Sequence, residues 1–305
     1  MATTKEIKNR ISSVKDTQKI TNAMYLIAST KLRKAKVELD LTRPYFNALQ
    51  TEIKRIFRTA GDVENKYFYP VTGIQHDLPG SYGYLVITAD KGLAGAYNQN
   101  VIKEAIRLMS LHANPKLFVV GEYGRHYFNS HNIPIEKSFL YTAQNPTIGR
   151  ARRISELLVD LFDRGEISKI FIVYTDMKGA INAQACSARL LPFHRGDFTA
   201  LDHQEKEVKG SFEFTPSIEK VLDSIVPSYI TGFIYSALID SFCSEQNARM
   251  NAMDAANRNA QELLAELSVQ YNHIRQAAIT REITEVSSGA RSMRKKAKKK
   301  SSKEA

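Results

Sequence analysis

Apolar and small residues return on alternating steps of four and three near the start of the chain: Ile7, Ile11, Val14, Tyr25, Ala28, Leu32, Ala35 and Leu39. That interval is the seam of a coiled coil, because it keeps one narrow stripe of a helix facing a partner. The pattern predicts a single helix from Thr3 to about Phe57. A second run, from about Ser228 to Ser287, carries Met250, Met253, Ala260, Leu264, Leu267, Tyr271, Ile274 and Ala278 on the same steps, with Asn257 filling one place in the series. A globular stretch separates the two runs, so the first helix enters it and the last leaves it at the same end. If they pair, they pair antiparallel. At about 1.5 Å per residue they are roughly 80 Å and roughly 90 Å long. Gln18 and Thr21 are polar at seam positions, which costs stability and fixes the register of the pair.

Between the runs the pattern alternates as a mostly parallel α/β sheet requires. Strands are predicted at Tyr84 to Ala89, Lys116 to Val120 and Lys169 to Thr175, and AQACSARLLPF reads as a further strand ending at Pro192. Helices are predicted from about Val101 to Ser110, near Tyr123 to Asn129, and from Gly149 to Asp163. The stretch from Gly196 to Gly210 reads as loop and hairpin. Thr215-Pro216 reads as a helix start, with the hydroxyl as N-cap and proline at the first helical position, and Pro227 is expected to kink that helix.

The second run outlasts the first. Its final segment, QYNHIRQAAITREITEVSSGA, therefore has no partner within the chain, yet it keeps an apolar stripe of Ile274, Ala278, Ile279, Ile283 and Val286. An isolated helix of that length is marginal in water and an exposed stripe invites association, so a sleeve from outside the chain is expected to surround it. Arg275, Gln276, Thr280, Arg281, Glu282 and Glu285 stand around the stripe and can hydrogen-bond to such a sleeve.

Composition narrows the class. A chain of 305 residues with 43% hydrophobic and 25% charged residues has room for one ordinary domain plus a large non-globular part. No apolar run approaches the roughly eighteen residues of a membrane span and no signal peptide is visible, so the protein is expected to be cytoplasmic. Cys186 and Cys243 have no C-x-x-C spacing and read as reduced packing residues. The net charge of +11 is uneven: residues 1–58 hold thirteen Lys/Arg against five Asp/Glu, and residues 291–305 hold eight against one. The tail RSMRKKAKKKSSK reads as a solvated, disordered end, since no aromatic residue is interleaved with its cations.

Chemistry is harder to find. TADKGLAGAYN, after the first strand, is the best candidate for a nucleotide loop, but Gly92 and Gly95 fit neither G-x-G-x-x-G nor G-x-x-x-x-G-K-[ST], and a tight strand-to-helix turn is the expectation. His126 and His131 are not spaced for one helix face, and no zinc spacing, nucleophile elbow or paired acidic motif stands out. No catalytic, cofactor-binding or metal-binding residue is assigned.

Four segments, KEIKNRISSVKDTQKITNAMYLIASTKLRKA, ITADKGLAGAYN, SEQNARMNAMDAANRNA and YNHIRQAAITREITEVSSGA, together resemble the gamma subunits of bacterial F-type ATP synthases, in the same order and over nearly the whole chain. The resemblance implies α/β plus a long coiled coil: an antiparallel coiled coil of the terminal helices (1–58 and 215–290), a Rossmann-like α/β domain inserted between them (59–214), and here an added basic disordered tail (291–305). It implies a non-catalytic rotary shaft, without cofactor or direct nucleotide binding, whose protruding helix sits inside a hexamer of alternating alpha and beta subunits. The epsilon subunit and the membrane c-ring are the other implied partners, nucleic acid is not, and the complex would place the chain peripherally on the cytoplasmic face of the bacterial cell membrane. Shaft contacts to beta and alpha would fall on Lys19 and Met24 in TQKITNAM and on Arg275, Gln276, Thr280, Glu282 and Glu285 in RQAAITREITE. Two departures stand out: the loop has Ala89, Lys91, Ala94 and Ala96 where the family resembles TSDRGLCGGFN, and the end reads GARSM followed by the basic extension. Two other classes remain open on residues alone, a basic-tailed coiled-coil adaptor for nucleic acid or an anionic membrane surface, and a nucleotide-binding enzyme built on the α/β domain.

Overall fold

The computed structural model describes residues 3–60, 64–69, 80–140, 143–177, 183–194 and 214–301. It divides into two compact units, one of Met1–Tyr25 with Met253–Ala305 and one of Leu26–Ala252. Two helices contribute to both: α1 (Thr4–Ala60) and, last in the chain, α5 (Ile218–Ser301).

In the first unit the seam is as the spacing predicts. Ile7, Met253 and Leu267 are buried, while Ile11, Val14, Gln18, Thr21, Ala260, Leu264 and Tyr271 are half-buried. Thr21 donates its hydroxyl hydrogen to the amide oxygen of Asn257, so the polar seam residues of the two helices meet and pin the antiparallel register. Stepping up one helix as the other descends sets Thr4 opposite Ile274. Burial agrees: Ile274 is half-buried and every residue from Arg275 to Met293 is exposed. A correction concerns the basic tail, whose backbone stays helical to Ser301 where a disordered end is expected from residue 291. Alanine, lysine, arginine and methionine are strong helix formers, and cations suit the carbonyl end of a helix.

The second unit is built on a five-stranded sheet in the order β3-β2-β1-β4-β5. Its strands are β1 (Tyr82–Ile87), β2 (Pro115–Val120), β3 (Lys137–Phe139), β4 (Lys169–Met177) and β5 (Ala183–Leu191). The pairs β1/β2, β1/β4 and β2/β3 are parallel, and β5 lies antiparallel on β4. All six residues of β1 are buried, as a central parallel strand covered on both faces should be. Tyr84 and Val86 point to a core shared with α2 (Tyr97–Met109) and α3 (Glu122–Ser130). Leu85 and Ile87 point the other way, to a larger core with α4 (Ile148–Asp163), α1 and α5. The loop and hairpin expected between Gly196 and Gly210 lies outside the described residues.

Where α5 enters this second core it loses its solvent face: Ala237 through Asn247 are buried without interruption. An 18-residue stretch of α5 reaches a mean hydropathy of 1.3, so the chain does hold one helix apolar enough to cross a membrane, contrary to the sequence expectation. Over half of that stretch, 56%, is buried inside the protein, and its apolarity serves the core. Gly232 makes room for α1: a Cβ there would stand 1.9 Å from Cδ1 of Phe46, whose ring meets Tyr235 edge-on. The start of α5 also differs from expectation. The helix begins at Ile218, Ser217 Oγ accepts from the Lys220 N–H at 3.4 Å, and the Thr215-Pro216 peptide, which is cis, precedes it. α5 then runs through Pro227.

Candidate functional site

The carboxyl ends of β1 and β4 are where the strand order reverses, and in open α/β sheets ligands enter the crevice at that point. Here the crevice is filled by the chain's own α5. Ser241 Oγ accepts from the N–H of Thr175, near the end of β4, at 3.2 Å, and Ser244 Oγ donates to the Thr175 carbonyl at 3.5 Å. Arg249 donates to the carbonyls of Gly92 at 3.0 Å and Lys91 at 3.3 Å, in the loop that follows β1. Its other terminal nitrogen meets Glu245 at 2.5 Å, with both side chains about nine-tenths buried.

The loop itself is tightly built. Leu93 and Gly95 have φ of 60° and 55°, which a left-handed turn demands and which costs more at leucine than at glycine. Asn98 Oδ1 accepts from Ala89 N at 2.9 Å, and Asp90 Oδ1 accepts from Glu122 N at 3.0 Å, at the start of α3. Tyr97 is buried among Ser241, Thr175, Glu245 and Arg249, and burial pushes its phenol up. The helix α2 begins four residues before its predicted start because Tyr97 and Asn98 face this interior. The turn expected from the glycine spacing is therefore present, with α5 side chains bonded to its carbonyls.

Burial also acts on charge. Glu245 is raised by desolvation, against the pull of Arg249. Burial carries the Asp240 carboxyl up to about 6 from 3.8, with Asp176 on β4 adding to the rise and Arg43 on α1 opposing it. The folded chain thus holds this proton more tightly than the unfolded chain. Its contribution opposes folding progressively as pH rises from about 4 to about 6, reaching roughly 2–3 kcal/mol above that window. Asp240→Asn is expected to stabilise the protein by about 2 kcal/mol near neutral pH and by little near pH 4, read from urea denaturation at the two values. Among the described residues no group of three His, Cys, Asp or Glu is placed to hold a metal ion. Neither Cys186, half-buried, nor Cys243, buried, takes part in a disulfide.

The partner-contact residues expected from the sequence all lie in the first unit. Lys19 is exposed and pairs with Asp16 at 3.0 Å, and Met24 is half-buried. By the Thr21–Asn257 register Met24 lies opposite Asp254 and Lys19 opposite Asn259, so these two, on different faces of α1, lie about 24 Å or more along the axis from a second patch on α5. In the second patch Arg275, Ile279, Glu282 and Val286 recur on one helix face, and Gln276 with Thr280 lies beside them. Glu285, three residues after Glu282 and about 60° round from it, borders the same face on the side away from Gln276 and Thr280. Ile283 is 64% exposed and Val286 is 73% exposed, an apolar stripe that none of the described residues covers. Ser241, Ser244, Glu245 and Arg249 escape the sequence reading. Two signals are available: the i, i+4 spacing of Glu245 and Arg249, and the place of Ser244, Glu245 and Arg249 in the segment SEQNARMNAMDAANRNA that carries part of the resemblance.

The ATP synthase family model matches residues 3–293. The ATP synthase gamma chain of Caldanaerobacter subterraneus subsp. tengcongensis is 41% identical over 297 residues, covering 94% of this chain and 98% of its own. Among solved structures, a rotor chain of the Euglena gracilis mitochondrial ATP synthase superposes with a TM-score of 0.62 at 16% identity, over 90% of this chain and 98% of its own. A chain from the central stalk and c-ring of the Tetrahymena thermophila mitochondrial enzyme gives 0.56 at 24% identity, over 78% and 99%. On the extent of the family match and the near full-length identity, the chain belongs to the gamma-subunit family of the F-type ATP synthases.

Proposed function

We propose that the protein is the central rotary shaft of an ATP synthase, coupling ion translocation through the membrane sector to nucleotide chemistry carried out by its partners. It works within the membrane-associated complex as a peripheral component. In the finer reading, α5 beyond Ile274 sits inside a hexamer of alternating alpha and beta subunits, and Lys19, Met24, Arg275, Gln276, Thr280, Glu282 and Glu285 contact that sleeve. The epsilon subunit and the c-ring complete the set of partners, on the cytoplasmic face of a bacterial cell membrane. The observation that carries this reading is the bare end of α5, helical and striped with exposed apolar residues past Ile274, the residue opposite the first turn of α1.

An asymmetric rod in a threefold ring presents a different face to each catalytic subunit, so identical sites are made unequal. Driving one site from 1:99 to 99:1 takes about 5.5 kcal/mol of differential contact. A helix with fixed side-chain positions can deliver such a difference as it turns. The chain itself is read as non-catalytic, supported by a switch-point crevice in which Ser241, Ser244 and Arg249 take the strand-end and loop hydrogen bonds. The adaptor reading, built on the basic tail, has no comparable support.

Deleting Tyr271 onward tests the proposal in reconstituted complex. The expected result is ATP hydrolysis that no longer drives ion pumping and ATP synthesis that no longer responds to ion flow. Coupling equal to that of the full chain would overturn the reading.

A further inference from the structure

Apolar packing holds α5 against the sheet without fixing its position there, because such contact is non-directional and packed helices slide by about 1–2 Å in many switching transitions. The hydrogen bonds at the crevice are directional. Ser241 and Ser244 bracket the two backbone groups of Thr175 on β4, and Arg249 reaches two successive carbonyls after β1. Three side chains on one face of α5 thus grip two neighbouring strand ends. A slide of one residue, about 1.5 Å, with its turn of about 100° would carry all three away from their partners. Glu245 aims the guanidinium, and Ser241 and Ser244 are 1% and 0% exposed, so water does not compete for these bonds.

We propose that Ser241, Ser244 and Arg249 are positioning residues that lock α5 to the sheet, so that helix and sheet turn as one body under load. The proposal rests on the rotary reading above. Without load, apolar burial is enough to keep α5 in place. With load, the helix creeps along the sheet once the directional bonds are gone, and part of each step is lost as slip.

The experiment uses the assembled complex in sealed vesicles carrying S241A/S244A, with three readouts: ATP hydrolysis, the initial rate of ion pumping, and the largest ion gradient sustained. Hydrolysis and initial pumping are expected to stay close to wild type, while the sustained gradient falls about twenty-five-fold, roughly fivefold for each of the two hydrogen bonds removed. Arg249→Lys keeps a cation beside Glu245 but loses the planar fork, and it serves as the second variant if the double alanine does not assemble. It is expected to show the same loss confined to load. A wild-type gradient in the assembled variants would overturn the proposal, as would hydrolysis, initial pumping and gradient all falling in the same proportion. The deletion of Tyr271 onward, run in the same vesicles, separates the two ideas. If that deletion pumps normally the rotary reading itself is lost, whereas if it abolishes pumping while the variants match wild type, only the lock is lost.

Discussion

Gly121→Ala is expected to keep the α/β unit from reaching its native sheet. Gly121 has φ of 96°, where an L side chain is strained, and a Cβ there would stand 2.3 Å from the carbonyl oxygen of Thr88 and 2.7 Å from that of Ala89. Both obstacles are backbone. Neither can swing aside, because Thr88 is tied to β2 through Val120 O at 2.9 Å and the Ala89 carbonyl accepts from Tyr123 N at 3.0 Å. The substitution therefore pulls β1 away from the α3 entry, at a cost above about 4 kcal/mol, in the range reserved for a broken core. Thermal melting followed by circular dichroism should show a large fall in Tm or no cooperative transition. Gly165→Ala is the control: its φ is 73° but its Cβ would meet nothing within 4 Å, so only the backbone strain of about 1 kcal/mol applies.

Arg249→Leu is expected to cost about 3–5 kcal/mol, the penalty for leaving a buried charge without its partner. Glu245 is 6% exposed and already raised by its burial, so losing the guanidinium pushes its carboxyl further up. The loss should shrink in mildly acidic solution, where Glu245 takes up a proton, and Glu245→Gln in the same chain should recover part of it. Urea denaturation of the single and double variants, at neutral and mildly acidic pH, checks both statements. A penalty independent of pH would mean that Arg249 acts through its packing and its bonds to the Lys91 and Gly92 carbonyls, without its charge pairing to Glu245.

What the sequence makes legible here is whatever repeats. Ile7, Ala28, Leu32, Ala35 and Leu39 are all buried where a three-four spacing puts them, and the partnerless end of α5 follows from comparing two run lengths. The polar seam position Thr21 finds Asn257, which the same spacing sets in the partner series. Features that depend on contact between distant segments are not legible in this way. β3 is three residues long and owes its existence to its pairing with β2, not to any run of strand-forming residues. The residues at the crevice read as polar helix positions, and only the fold reveals that Thr175 and the loop after β1 stand against them. The loop DKGLAGA shows its turn in the glycines, whereas its rigidity comes from Arg249, some 157 residues away. The helical tail was obscured by its charge, which suggested solvation, although its residue types favour helix.

The central claim is that this chain turns inside a fixed sleeve. The most direct measurement holds the alpha and beta subunits of the assembled complex on a surface and follows a probe on a cysteine introduced at Leu111, which is 63% exposed. With ATP supplied, the account predicts rotation in one direction with three equally spaced stops per turn. A probe that stays still while the same molecules hydrolyse ATP at the normal rate would contradict it.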